Sequence, residues 1–86
     1  MVKETWFTYI LYSIKTGKLF TGTSKDPHER LKRHNAGKGS RYTRQGRPWR
    51  VVWMEPHDSR SKAIQRQYEV QALPREEKLL LTGLAA

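Results

Sequence analysis

The sequence predicts a small α+β domain, a three-stranded antiparallel sheet flanked by helices in the order β-β-α-β-α-α. Three observations carry that expectation. An aromatic and β-branched run opens the chain, and a glycine turn and a second short run follow closely, as in a hairpin. Two strong helix starts, at Asp26-Pro27 and at Asp58-Ser59, bracket a third apolar run. At 86 residues there is room for one core, so residues 1–86 are expected to form a single domain with its core over about 6–81.

The elements follow in order. Residues 6–12 are rich in Trp, Phe, Thr, Tyr and Ile, which suit a pleated surface. Gly17 suits the positive φ of a hairpin turn, and residues 19–22 read as the return strand, with Gly22 marking a tight backbone approach or a bend. Asp26 can cap free amides, Pro27 fits the first helical turn, and Glu29 is spaced for a capping box. This first helix is expected to run to about Asn35, with Gly37 as its stop, and to project Arg30 and His34 from one face. Residues 37–48 read as a polar, basic loop, and residues 50–54 as the third strand. Asp58 or Ser59 then caps a helix over about 60–72, which Pro74 ends. A last helix opens with Glu76 and Glu77 in its first turn, and Leu79, Leu80 and Leu81 are expected to pack it on the body.

Charge narrows the function. Seventeen Lys and Arg stand against eight Asp and Glu, a net charge of +9. From Arg30 through Met54 there are eight basic residues and no acid. Such a field attracts polyanions. A solvated basic surface without a partner is the bland alternative. Three Trp interleaved with the charge argue for a folded chain. The absence of cysteine excludes disulfides, thiolate zinc sites and thiol nucleophiles. Residues 1–4 lack the apolar stretch of a signal peptide, and no run approaches a membrane span, so a soluble, cytoplasmic protein is expected.

Two short strand motifs, Phe7-Thr8-Tyr9 and Phe20-Thr21-Gly22, precede a helix carrying Glu29-Arg30-Leu31-Lys32-Arg33-His34. A loop, Asn35-Ala36-Gly37-Lys38-Gly39-Ser40-Arg41-Tyr42-Thr43-Arg44, comes next, and later helices carry Tyr68-Glu69-Val70 and Leu73. In this order and spacing the chain resembles the GIY-YIG nuclease superfamily, and within it the small single-domain bacterial members. The resemblance covers roughly residues 6–81. It implies a metal-dependent DNA endonuclease that hydrolyses phosphodiesters with one divalent ion, Mg²⁺ or Mn²⁺, and DNA as the partner, with no membrane and no small-molecule cofactor.

Residue by residue, the resemblance puts Tyr9 at the first-motif tyrosine, Arg30 at the arginine that stabilises the phosphate, His34 at the helical histidine and Tyr42 at the loop tyrosine. A guanidinium suits the second role because its fixed fork of donors matches phosphate oxygens. Two positions depart. Phe20 stands at the second-motif tyrosine and lacks its hydroxyl. Gln67 stands at the metal-binding glutamate and lacks its charge, which a hard cation needs. Glu69, the nearest acid, lies about 200° round the helix from Gln67 and is expected to face solvent. An endonuclease impaired at Phe20 and Gln67 is therefore one reading, and a non-catalytic DNA-binding module on the same fold is the other. Gln67 also reads simply as a satisfied polar residue of its helix.

Lys32, Arg33, Lys38, Arg41, Arg44 and Arg47 are the candidate contacts to the DNA backbone, with Tyr42 and Trp49 as stacking surfaces for splayed bases. If about six basic residues meet phosphates, log affinity is expected to fall with log salt at a slope near −5 for duplex and about −4 for a single strand. Fluorescence anisotropy across a salt series checks this, and a flat dependence removes the backbone contacts.

Overall fold

The structure is a computed structural model and describes residues 4–84. Residues 1–3, part of the stretch examined for a leader, and residues 85–86 lie outside the described residues. Strands β1 (Trp6–Ser13), β2 (Leu19–Ser24) and β3 (Trp49–His57) form one antiparallel sheet in the order β2-β1-β3. The helices are α1 (Pro27–Asn35), α2 (Arg41–Gln45), α3 (Arg60–Ala72) and α4 (Arg75–Thr82). The expected order is observed, with one short helix added inside the basic loop.

The first hairpin forms as the residues suggest. Gly17 adopts φ +76° in the turn, and Ser13 brackets it by accepting from Gly17 N–H and donating its own N–H to Lys18 O. β1 is the central strand, so its side chains are covered on both faces. Thr8 and Tyr9 are neighbours in it and therefore point to opposite sides. Tyr9 and Leu11 face one way, into a cluster with Trp49 that Phe20, Leu31, Val51 and Met54 complete. Leu31 comes from α1, so α1 covers that face. Thr8 faces the other way and donates its hydroxyl to Ala63 O of α3 at 2.7 Å. Ile10 shares that side and is fully buried, as are Ala63 and Val70. The two long-range helices thus sandwich a single sheet.

Several local expectations need correction. Asp26 Oδ1 caps α1 by accepting from Glu29 N–H at 3.1 Å, but only half of the capping box forms, because Asp26 N–H donates to Ser24 Oγ at 3.0 Å instead of to Glu29. Residues 41–45 are helical rather than loop, with the Ser40 hydroxyl capping Thr43 N–H. β3 continues three residues past Met54, and Pro56 is tolerated there because β3 lies at the sheet edge. It also carries an extra residue, Val52, where Ile10 pairs with Trp53 and Leu11 with Val51. On α4, Leu79 and Leu81 are half-buried but Leu80 is 69% exposed. Three consecutive residues span 200° of a helix, and one apolar face does not hold them all.

Trp49 corrects a further expectation. It is 2% exposed and belongs to the core, so it offers no surface to a stacked base. Its indole N–H donates to Thr43 O at 2.6 Å, and its backbone is paired in both directions with the Asn35 side chain, N–H to Oδ1 at 2.7 Å and Nδ2 to O at 3.0 Å. Asn35→Ala leaves the Trp49 N–H without that partner and is expected to cost about 2 kcal/mol. Urea unfolding checks this, with the loss appearing as a lower midpoint at unchanged slope.

Candidate functional site

Two of the candidate residues, Arg30 and Gln67, come together at the outer edge of β2, with Tyr9 lying across that strand. Tyr9 pairs with Gly22 across the strands. A Cβ at Gly22 would stand 2.5 Å from the Tyr9 hydroxyl oxygen and 2.6 Å from Cζ. Only a residue without a side chain lets the phenol lie across β2, which is why a glycine occupies this strand interior. The phenol is 3% exposed, and burial raises its pKa above the ordinary 10.0, with the positive charge of Arg30 partly offsetting the rise. At neutral pH Tyr9 keeps its proton.

Behind Tyr9 stand Phe20 and His34. The Phe20 ring lies 6.5 Å from Tyr9, 6.4 Å from Trp49 and 5.1 Å from His34, edge-on to the imidazole. Among the described residues the buried His34 Nδ1 has no hydrogen-bond partner, and it lies against the close approach of Gly39. Burial first, and Arg30 second, lower the His34 pKa below 6.5. Arg30 and His34 share the α1 face as expected, yet the imidazole packs inward while the guanidinium is exposed.

In front of that wall a cleft of about 300 Å³ opens between α1 and α3. Arg30 enters it from α1, Trp6 and Thr23 from the sheet, and Arg60, Ile64, Gln67 and Tyr68 from α3. The four α3 residues follow the i, i+4, i+7, i+8 spacing of one helical stripe. Because α1 and α3 cover opposite faces, their side chains meet only past the sheet's edge, where β2 has no further neighbour. The Thr23 hydroxyl donates to Gln67 Oε1 at 2.6 Å and lies 3.4 Å from Ala63 O. Among the described residues neither Arg30 nor Arg60 has an acidic partner. Arg60 lies 5.7 Å from the Trp6 ring centroid, with Lys25 at 5.2 Å from the same ring.

A strand tyrosine laid across a strand glycine, a helix arginine beside it, and a second helix returning Gln67 to the same edge form one arrangement. Residues 5–79 match the family model described as the GIY-YIG catalytic domain. The chain belongs to the GIY-YIG family. It is 37% identical over 78 residues to the UPF0213 protein of Staphylococcus aureus strain Mu3, covering 91% of this chain and 94% of that one. A relative from strain Mu50 matches with the same identity and coverage. Among solved structures it is similar to the UPF0213 protein of Bacillus halodurans determined by solution NMR, at TM-score 0.56 and 38% identity over 93% of this chain and 84% of that one.

Against the GIY-YIG expectation of a divalent ion, the donors lining the cleft do not fit. They are the hydroxyls of Thr23 and Tyr68, a neutral amide and two guanidiniums, with no carboxylate among the described residues. Hard cations select anionic oxygen. Among the described residues no group of three His, Cys, Asp or Glu could hold a metal. Glu69 is exposed and pairs with Arg66 at 3.6 Å, turned from the cleft as its helical position requires.

The other GIY-YIG candidates lie elsewhere. Tyr42 donates its hydroxyl to Leu19 O at 3.0 Å and lines a separate hollow with Thr16, Lys18, Gln45 and Trp49. It is 44% exposed. Lys32, Arg33, Lys38, Arg41 and Arg44 are exposed on α1, α2 and the turn between them. Arg47 is exposed too, but its guanidinium bonds Arg44 O at 3.1 Å and Asn35 O at 3.5 Å, fastening the ends of the two helices. The sequence reading missed Arg60, Tyr68 and Thr23. The helical spacing of Arg60 and Tyr68 to Gln67 was the signal that could have found the first two.

The His34 shift gives a pH dependence of known sign. The unfolded chain binds a proton near pH 6.5 and the folded one only at lower pH, so the unfolded state binds more protons in between. Stability is full above pH 6.5 and falls as pH drops through the folded value. A Tm series by circular dichroism checks this, and His34→Gln should flatten the acid-side decline.

Proposed function

We propose that this chain is an endonuclease-type GIY-YIG domain that binds the DNA backbone and whose phosphodiester hydrolysis is impaired at Gln67 and Phe20. The single observation that carries the reading is the cleft itself, which gathers Arg30 and Gln67 at the edge where Tyr9 crosses β2, with no acid in its lining among the described residues. Arg30 meets the phosphate charge, and its fork of donors is strongest where an oxyanion accepts it. Tyr9 supplies a protonated phenol that orients an oxygen. Hydrolysis also needs water made nucleophilic, and here the chain falls short. Phe20 offers no hydroxyl, and Gln67 offers no negative charge.

The basic face extends the contact. Lys32, Arg33, Lys38, Arg41 and Arg44 stand exposed on the α1–α2 side and track a polyanion without reading its sequence. Tyr42, with its hydroxyl tied down and its ring 44% exposed, is a stacking surface for an unpaired base.

Cleavage of labelled single-stranded and duplex DNA with Mg²⁺ or Mn²⁺ tests the reading. This chain is expected to bind and cut little, and Gln67→Glu to raise cleavage by roughly a hundredfold or more, the scale of one lost electrostatic contribution. Adding Phe20→Tyr should raise it further. Efficient cutting by the unaltered chain would overturn the impairment, and silence of both variants with intact binding would leave a DNA-binding module.

A further inference from the structure

Which end of the Gln67 amide faces the cleft is decided by Thr23. Its hydroxyl donates to Oε1 at 2.6 Å, so the carbonyl end is tied back to the strand. Oxygen and nitrogen sit on opposite branches of one planar group, and the NH₂ is therefore turned the other way. Among the described residues no acceptor engages Gln67 Nε2. The same cleft holds the Arg30 and Arg60 guanidiniums, neither paired with an acid among the described residues. Every group so presented is a hydrogen-bond donor, and two of the three are cations. Such a surface repels a metal ion and attracts an oxyanion.

We infer that the cleft is a metal-free anion site, in which the Gln67 NH₂ donates to one oxygen of a phosphodiester backbone whose other oxygens meet Arg30 and Arg60. The inference rests on the DNA-backbone reading for the identity of the anion. A carboxylate at this position would present an acceptor and call for a cation between itself and the phosphate. The amide removes that need, because it contacts the phosphate directly. Arg60 stands two helical turns from Gln67, roughly 10 Å along the axis, so the two engage separate oxygens of one backbone. At about 300 Å³ the cleft is several times larger than the roughly 30 Å³ one water occupies. The ligand class is an extended phosphodiester, met by donors alone.

Two measurements test the site. In EDTA, a thymidine dinucleotide carrying one phosphodiester is titrated into isotope-labelled protein while the Gln67 side-chain NH₂ resonances are followed. Duplex affinity is then measured in EDTA and in Mg²⁺ at matched ionic strength, for the unaltered chain and for Gln67→Glu, which keeps the shape and the Thr23 bond. The NH₂ resonances should shift with the dinucleotide, and the unaltered chain should bind duplex equally with and without Mg²⁺. Gln67→Glu should bind at least about tenfold more weakly in EDTA and recover in Mg²⁺, since a charged donor–acceptor contact becomes a repulsion. An NH₂ pair that stays unmoved, duplex binding that requires Mg²⁺ in the unaltered chain, or a Gln67→Glu chain that binds normally in EDTA would overturn the inference. If duplex does not bind while the dinucleotide still shifts the amide, the anion site stands and the DNA reading falls. If duplex binds and the amide is silent, the DNA reading stands and this one falls.

Discussion

Trp49 holds one whole side of the molecule together. Its ring lies 5.9 Å from Tyr42 and 6.4 Å from Phe20, its indole N–H bonds α2 through Thr43 O, and its backbone is clasped by Asn35 at the end of α1. One side chain at the start of β3 therefore fixes both helices that carry the basic residues. Burying an aromatic of this size removes roughly 150–250 Å² from water. The exposed lysines and arginines contribute little to this packing. They are presented by a frame whose rigidity comes from an apolar ring and three hydrogen bonds, and so the charge is free to serve a ligand.

The acids are arranged as deliberately as the bases. Glu55 takes Arg66 at 3.0 Å and lies 3.0 Å from His57 Nε2, while Glu69 takes the other side of Arg66 at 3.6 Å. Arg66 and Gln67 are adjacent, but a helix turns them 100° apart. The carboxylates of this region are thus spent on the β3 side of α3, and the stripe facing the cleft has none. The cleft's character follows from that partition as much as from the amide itself. A neutral group flanked by free acids would still favour cations; here Glu55 and Glu69 are held by Arg66.

Much of the fold was legible because its signals are local. The hairpin, the cap of α1 at Asp26 and the cap of α3 at Ser59 each rest on a few neighbouring residues, and all three form. The short α2 escaped notice because glycines on both sides disguise five helical residues as loop, although Ser40 before Thr43 was its signal. Pro56 reads as the end of a strand, and only the strand order reveals β3 as an edge. At the site, the family resemblance pointed to Tyr9, Arg30 and Gln67; Arg30 and Gln67 line one cleft, and Tyr9 lies across the neighbouring strand. Arg60 and Thr23 belong to no motif. They reach the cleft because two helices on opposite faces meet past β2, and such a meeting is a tertiary fact that no local pattern encodes.

The pinning of α3 to the sheet has a consequence of its own. Thr8 donates to Ala63 O, and Thr23 reaches both that carbonyl and Gln67, so two strand hydroxyls grip the helix one turn ahead of the amide that lines the cleft. A helix held by apolar packing alone can slide or roll slightly as side chains repack. This one is indexed, as a gear is by its teeth, and a slip of a single residue would swing Gln67 by about 100° out of the cleft. Thr8 lies on the central strand, fully buried, paired with Thr23 and itself outside the cleft lining, yet it helps set the angle of a cleft-lining side chain. Whatever alters the packing behind the sheet also alters the aim in front of it.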